Sequence, residues 1–117
     1  MPSKVNLAEA FGSFHDHWNP RIAGDINDFQ VKLVKLDGKF DWHHHEVEDE
    51  LFLVVAGRMK MAFRGRDVIV EPGEFIIVPH GVEHCPEALD GERRSQKSAI
   101  IRANALVGLR DAELDAE

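Results

Sequence analysis

Gly38-Lys39-Phe40-Asp41-Trp42-His43-His44-His45-Glu46-Val47-Glu48-Asp49-Glu50-Leu51-Phe52-Leu53-Val54-Val55-Ala56-Gly57 decides the reading of this chain. Three histidines and several carboxylates run directly into an apolar segment that ends at a glycine. The apolar run Leu51 to Val55 reads as a buried strand, and Ala56-Gly57 as the turn that ends it. Ahead of it, Phe40 to His45 reads as extended chain. Side chains on a strand alternate faces. His43 and His45 therefore point one way with Asp41, and Phe40, Trp42 and His44 the other. Two imidazoles one residue apart converge on one space, as chelation requires. Glu50 opens the next strand and can turn back toward that space.

Outward from this stretch the pattern is strand after strand. Downstream, Met59, Met61 and Phe63 alternate with Lys60 over Arg58 to Arg64 and read as core. Val68 to Val70 is a short strand, Glu71-Pro72-Gly73-Glu74 a turn, and Phe75 to Val78 a buried strand. Pro79-His80-Gly81 turns again into Val82 to Glu87, a polar loop covers Leu89 to Lys97, and Ala99 to Ala103 is the last strand. Gly57, Gly65, Gly73 and Gly81 recur at eight-residue steps, each at a strand junction where a positive φ fits. Upstream, Asp37-Gly38 is a turn, and Phe29, Val31 and Leu33 alternate with Gln30 and Lys32 in a strand reaching Leu36. Arg21 to Asp25 is a short edge strand. Residues 6–14 form a short helix with Asn6 as N-cap, Gly12 weakening it, and it is expected to cover one edge. The tail from Arg110 to Glu117 is charged and reads as frayed. Short strands with glycine and proline turns at near-regular spacing predict an all-β sandwich or barrel, not an alternating α/β sheet.

The chain has 117 residues, the length of a single domain. A lone Cys85 cannot form an internal disulfide, and no basic start, apolar run and cleavage site occur together, so the expected setting is cytoplasmic. No apolar run approaches the ~20 residues of a membrane-spanning helix. The net charge is −7 and the basic residues are scattered, which argues against a phosphate-tracking nucleic-acid surface.

His84 returns a fourth candidate donor after the Gly81 turn. Three imidazoles and a carboxylate suit a divalent transition metal, and leave about one positive charge around the dication, with room for water or substrate. Fe(II), Mn(II), Ni(II), Co(II) and Zn(II) all accept such a donor set.

These residues resemble the two motifs of the cupin superfamily. Gly38, His43, His45, Glu50 and Gly57 match the first, with Gly38 to His43 one residue shorter than usual and six residues between Glu50 and Gly57 as in the family. Gly73, Pro79, Gly81 and His84 match the second, and Ala88 stands where an asparagine often ends it. The resemblance covers about residues 28–104 and implies a jelly-roll barrel (a double-stranded β-helix) within a single domain over 1–117, preceded by the short helix. By the resemblance the metal ligands are His43, His45, Glu50 and His84, with Asp49 the rival carboxylate. It further implies a small-molecule ligand or substrate and a homodimer.

The other candidates have plainer readings. His44, with Phe40 and Trp42, faces a packing surface on the N-terminal segment or a second subunit. His15 and His17 sit near a helix end, where residues two apart do not share a face. His80 is solvent-facing, and Cys85 points away from the metal as a buried small residue. Two functions follow from such a centre. One is a metal-dependent enzyme, of dioxygenase or sugar/keto-acid isomerase type, on a small oxygen-rich substrate. The other is a non-catalytic module binding metal or a small ligand. A phosphosugar would call for a clustered basic rim, for which Arg64, Arg66, Arg93, Arg94 and Lys97 are the candidates.

Overall fold

The computed structural model describes residues 3–89 and 98–106. After a helix α1 (Leu7–Gly12) come eight strands: β1 (Arg21–Ile26), β2 (Phe29–Leu36), β3 (Glu48–Ala56), β4 (Arg58–Phe63), β5 (Arg66–Val70), β6 (Phe75–Val78), β7 (His84–Leu89) and β8 (Ser98–Leu106). They form two antiparallel sheets, a five-stranded one in the order β1-β2-β8-β3-β6 and a three-stranded one in the order β5-β4-β7. This is the expected all-β jelly roll with a short N-terminal helix.

Alternation explains the core. On β3, Glu50, Phe52 and Val54 are buried while Leu51, Leu53 and Val55 are only partly so. On β4, Met59 and Met61 are fully buried. These residues meet Val34, Leu36, Val70, Val78, Ala88 and Ile100 between the two sheets. Truncating either methionine to alanine there costs about 2–5 kcal/mol.

The glycine rhythm is real: Gly57, Gly65, Gly73 and Gly81 all have φ between 75° and 92°. Gly57 has a second constraint. A Cβ on it would lie 2.8 Å from Ser98 Cα, and Ser98 is itself buried with its hydroxyl donating to Arg58 O at 2.6 Å. The turn between β3 and β4 thus admits β8 only because it carries no side chain.

Four expectations are corrected. Phe40 to His45 is not a strand. It touches β7 at two isolated bridges, Lys39 with Glu87 and His43 with His84. Phe75 to Val78 is an edge strand buried on one face only, with Phe75 60% and Ile77 54% exposed. The helix covers a sheet face rather than an edge. Its N-cap Asn6 accepts from Glu9 N–H at 3.0 Å, and Phe11 and Phe14 pack over Leu33, Ala23, Val55, Ala99 and Ile101 on the outer face of the large sheet. The last strand runs from Ser98 to Leu106, longer than expected. The proposed loop through Lys97 and the tail from Arg110 lie outside the described residues, apart from Leu89, which ends β7.

Candidate metal centre

Glu50 and His84 are placed by regular strands. Glu50 lies opposite Asn104 of β8 and Val78 of β6, points between the sheets, and is 1% exposed. His84 opens β7, also 1% exposed, with its ring 5.9 Å from that of Phe52. His43 and His45 are placed by the irregular stretch before β3. The His43 and His84 backbones exchange hydrogen bonds of 3.0 and 2.9 Å, and His45 O accepts from Gly81 N–H at 2.7 Å. The left-handed Gly81 therefore ties the second half of the site to the first.

The four side chains meet. One donor atom from each of His43, His45, Glu50 and His84 lies within 4.8 Å of all the others. Ring centroids are 4.3 Å apart for His43 and His84, 5.3 Å for His43 and His45, and 5.9 Å for His45 and His84. His45 Nε2 lies against Glu50 Oε1, but without hydrogen-bond geometry. These two atoms and His84 Nε2 are buried and have no hydrogen-bond partner among the described residues. Three orphaned donors and acceptors converging on one point are costly unless something sits between them.

The surroundings fit a cation. His43 Nδ1 meets Asp41 O at 2.8 Å, and His84 Nδ1 meets Val82 O at 2.9 Å. A carbonyl only accepts, so each Nδ1 carries the proton and each Nε2 presents its lone pair. Burial is the main cause that holds the His84 pKa below its ordinary value, and His43 adds to it, while the Val82 carbonyl and Glu50 oppose it. The neutral imidazole is the form that binds metal.

Arg102 was not among the basic residues singled out from the sequence. It sits on β8 opposite Phe52, two residue pairs along from Glu50 and so on the same face. Its Nε–H donates to Glu50 Oε2 at 2.9 Å and its Nη2–H donates to the same oxygen. Both bonds fall on Oε2, so Oε1 is the oxygen left facing the imidazoles. Two steps on, Asn104 Nδ2–H donates to Glu48. The signal available in the sequence was the polar alternation of Arg102 and Asn104 within an apolar strand.

The remaining candidates lie elsewhere. Asp49, the rival carboxylate, faces outward and accepts from both His80 N–H and His80 Nδ1 at 2.9 Å. His44 is exposed, 3.6 Å from Glu46. Asp16, between His15 and His17, is held by Arg21 and Asn19. Cys85 is buried, donates to Phe40 O at 3.0 Å, and burial pushes its thiol pKa up. Arg64 lies 3.8 Å over the Trp42 ring and pairs with Glu83, and Arg66 lies over Phe63. Arg93, Arg94 and Lys97 fall outside the described residues.

Parity fails at Phe40 and Asp41. Between the two bridges, four steps along 39–43 face three along 84–87, so one extra residue is accommodated near Asp41 and Trp42. Phe40, whose N–H donates to Pro86 O, thereby falls on the same side as His43, with ring centroids 5.3 Å apart, while Asp41 is exposed. Phe40 does meet the N-terminal segment, stacking on Trp18 at 4.8 Å, but from inside the barrel mouth.

The sequence profile of the cupin domain family matches residues 31–94. An acireductone dioxygenase of a Sulfurihydrogenibium species is 39% identical over 91 residues, covering 72% of this chain and 50% of that protein. An uncharacterized protein of Bacillus subtilis is 33% identical over 61 residues, covering 51% of this chain and 54% of that one. The chain thus spans about half the length of these curated relatives. Among solved structures, a cupin-2 domain containing protein from Shewanella frigidimarina superposes with a TM-score of 0.77 at 36% identity, covering 87% of this chain and 93% of that one.

Proposed function

The chain belongs to the cupin domain family, and on that premise we propose that it is a metalloprotein holding a divalent transition metal through His43, His45, Glu50 and His84. We propose further that it acts as a metal-dependent enzyme of dioxygenase type on a small substrate with two neighbouring oxygens. The carrying observation is the convergence of four donor atoms, three of them buried without hydrogen bonds. The acireductone dioxygenase relatives support the dioxygenase over the isomerase. So do Arg64 and Arg66, which are engaged by Trp42 and Phe63 rather than gathered at the cluster.

A bound iron would supply oxygen activation, and zinc or manganese carbonyl polarisation. The chain's own residues set the rest. His43 and His84 hold their protons on Nδ1 against backbone carbonyls, which keeps both Nε2 atoms available. Arg102 occupies one oxygen of Glu50 and orients the other. Half-exposed His45 stands on the open side, where a ligand enters.

Elemental analysis of the purified protein is expected to give close to one equivalent of Fe, Mn, Ni, Co or Zn, and oxygen uptake is expected with at least one of a panel of enediols and 1,2-dicarbonyls. Loss of metal in His84→Ala ties the metal to this cluster. Metal retained in that variant overturns the site, and tight metal without turnover of any candidate leaves the non-catalytic binding module.

A homodimer is also proposed, through a different surface from the one expected around Phe40, Trp42 and His44. Phe11 of helix α1 and Phe14 cover Leu33 and its neighbours on the outer face of the large sheet, and exposed Phe75 and Ile77 with half-buried Leu51 and Leu53 continue that apolar face. A second copy laying the same strip against it would bury both. Sedimentation is expected to show a dimer that Phe75→Glu dissociates.

A further inference from the structure

A small cavity of ≈ 40 Å³ opens between the sheets beside the cluster. Its polar side chains are His43 and Arg102, at the end toward the cluster. The rest of its wall is apolar, built from Trp18, Leu36, Phe40, Phe52, Pro86 and their neighbours. Each water needs roughly 10–15 Å³ of such space and two or more polar partners, so the cavity has room for about three non-hydrogen atoms, with polar partners only at its His43 and Arg102 end. Away from that end the wall offers apolar side chains and takes apolar groups.

One wall of the cavity is held in an unusual way. Trp18 comes from the segment between α1 and β1, with a left-handed backbone, φ 59°, that a bulky residue rarely adopts. Two hydrogen bonds fix it there, Trp18 N–H to Lys35 O at 2.8 Å and indole Nε1–H to Asp37 O at 2.9 Å. The indole stacks on Phe40, whose ring meets His43 edge-on. A strained residue held by three separate contacts over a cavity is over-determined by its surroundings, which is how strain persists at ligand clamps.

We infer that this cavity is the subsite for the apolar substituent of the ligand, so that the ligand is a small amphipathic molecule. Its two oxygens lie at the cluster and a substituent of about three non-hydrogen atoms lies between Trp18, Phe40 and Phe52. The inference rests on the metal reading above and adds the ligand's size and polarity. Arg102 directs two of its N–H donors at Glu50 Oε2 and keeps others, so the Arg102 end of the cavity is its polar end, on the side of the ligand's oxygens, and the apolar substituent lies away from it.

The test uses the full chain loaded with Co(II) and a series of alkyl hydroxamates, which chelate through two oxygens and differ only in chain length. Binding is read from the visible spectrum of the cobalt. In the wild type, affinity is expected to rise about fourfold per added carbon from acetohydroxamate to butyrohydroxamate, the value of a buried methylene. It should rise no further from butyrohydroxamate to valero- and hexanohydroxamate. Trp18→Ala opens the cavity and is expected to move that limit to longer chains. Val34→Ala, which widens it from the β2 side, does the same should the tryptophan variant not fold. Affinity independent of chain length in the wild type, or a limit unmoved in every folded variant, overturns the subsite. Cobalt uptake without hydroxamate binding also overturns it and leaves the metal site standing, whereas no cobalt uptake at all removes the metal reading beneath it.

Discussion

The two halves of the proposed ligand set are held in opposite ways. Glu50 and His84 stand on regular strands with neighbours in register and are 1% exposed. His43 and His45 stand on a stretch that joins β7 through two bridges, and the His45 side chain is 34% exposed. One half is part of the core, and the other is laid over it from the open side. On the proposed metal reading, the core half is expected to be stable without metal, while the His45 side chain of the laid-on half would be fixed by the metal, its backbone being held by Gly81 N–H. The supporting hydrogen bonds cross that division: Glu50 has a guanidinium, and His84 and His43 each have a carbonyl, to satisfy the atom not aimed at the site.

Breaking the core half gives the largest effect. Glu50→Ala leaves the Arg102 guanidinium half-buried without its carboxylate, and is expected to destabilise the metal-free protein by about 3 kcal/mol as well as abolish metal binding. Urea unfolding of the chelator-treated protein measures the first and elemental analysis the second. Wild-type stability in apo form after Glu50→Ala would show that the pair contributes nothing to the core. His84→Ala is next, at about 2 kcal/mol in the apo protein, from the space left beside Phe52 and the lost partner of Val82 O.

His45→Ala separates the halves. With its side chain partly in water and its backbone bond to Gly81 untouched, the apo protein should unfold within about 0.5 kcal/mol of wild type. Metal affinity should nonetheless fall by more than about a hundredfold. The wild type, at a metal concentration 100 times Kd, gains about 2.7 kcal/mol that a chelator removes, and His45→Ala should show no such difference. Equal chelator sensitivity in the two proteins would mean that His45 is not a ligand.

The same division decides what was legible in the sequence. On β3, β4 and β7, period-two alternation and the positive-φ glycines give the faces correctly, so Glu50, Met59, Met61 and His84 fall inside and Asp49 and Cys85 away from the cluster. Alternation presumes an unbroken ladder, and between Lys39 and His43 the ladder has one residue too many, which put Phe40 on the His43 side and left Asp41 exposed. Nothing in the composition of that stretch marks the irregularity. Arg102 was hidden for a different reason. Its role exists only through the register of β8 on β3, a pairing between residues about fifty positions apart that local pattern does not encode. Phe75 and Ile77 read as core because a continuous apolar run looks the same whether a strand is central or at an edge.

Neighbours of the ligands give smaller effects, and sharpen the boundary between the two faces. Asp49 follows Glu48 and precedes Glu50, yet it binds the His80 turn on the outer side. Asp49→Asn removes the charge from two hydrogen bonds and is expected to cost about 1 kcal/mol with metal content unchanged. Loss of metal in this variant would restore Asp49 as the ligand.

His44→Ala has the smallest expected effect and is the most direct control on the laid-on half. His44 lies between His43 and His45 but points into solvent, and its partner among the described residues is Glu46 at 3.6 Å, with Glu46 almost fully exposed. An exposed pair of that kind contributes well under 1 kcal/mol, so stability should stay within about 0.5 kcal/mol of wild type. Metal content and dimerisation should both be unchanged, because neither the cluster nor the Phe75 and Ile77 surface includes it. A drop in metal stoichiometry measured beside His45→Ala would mean that residues 43–45 bind in a register shifted by one, with His44 turned inward. The irregularity near Asp41 and Trp42 would then extend through the histidines themselves.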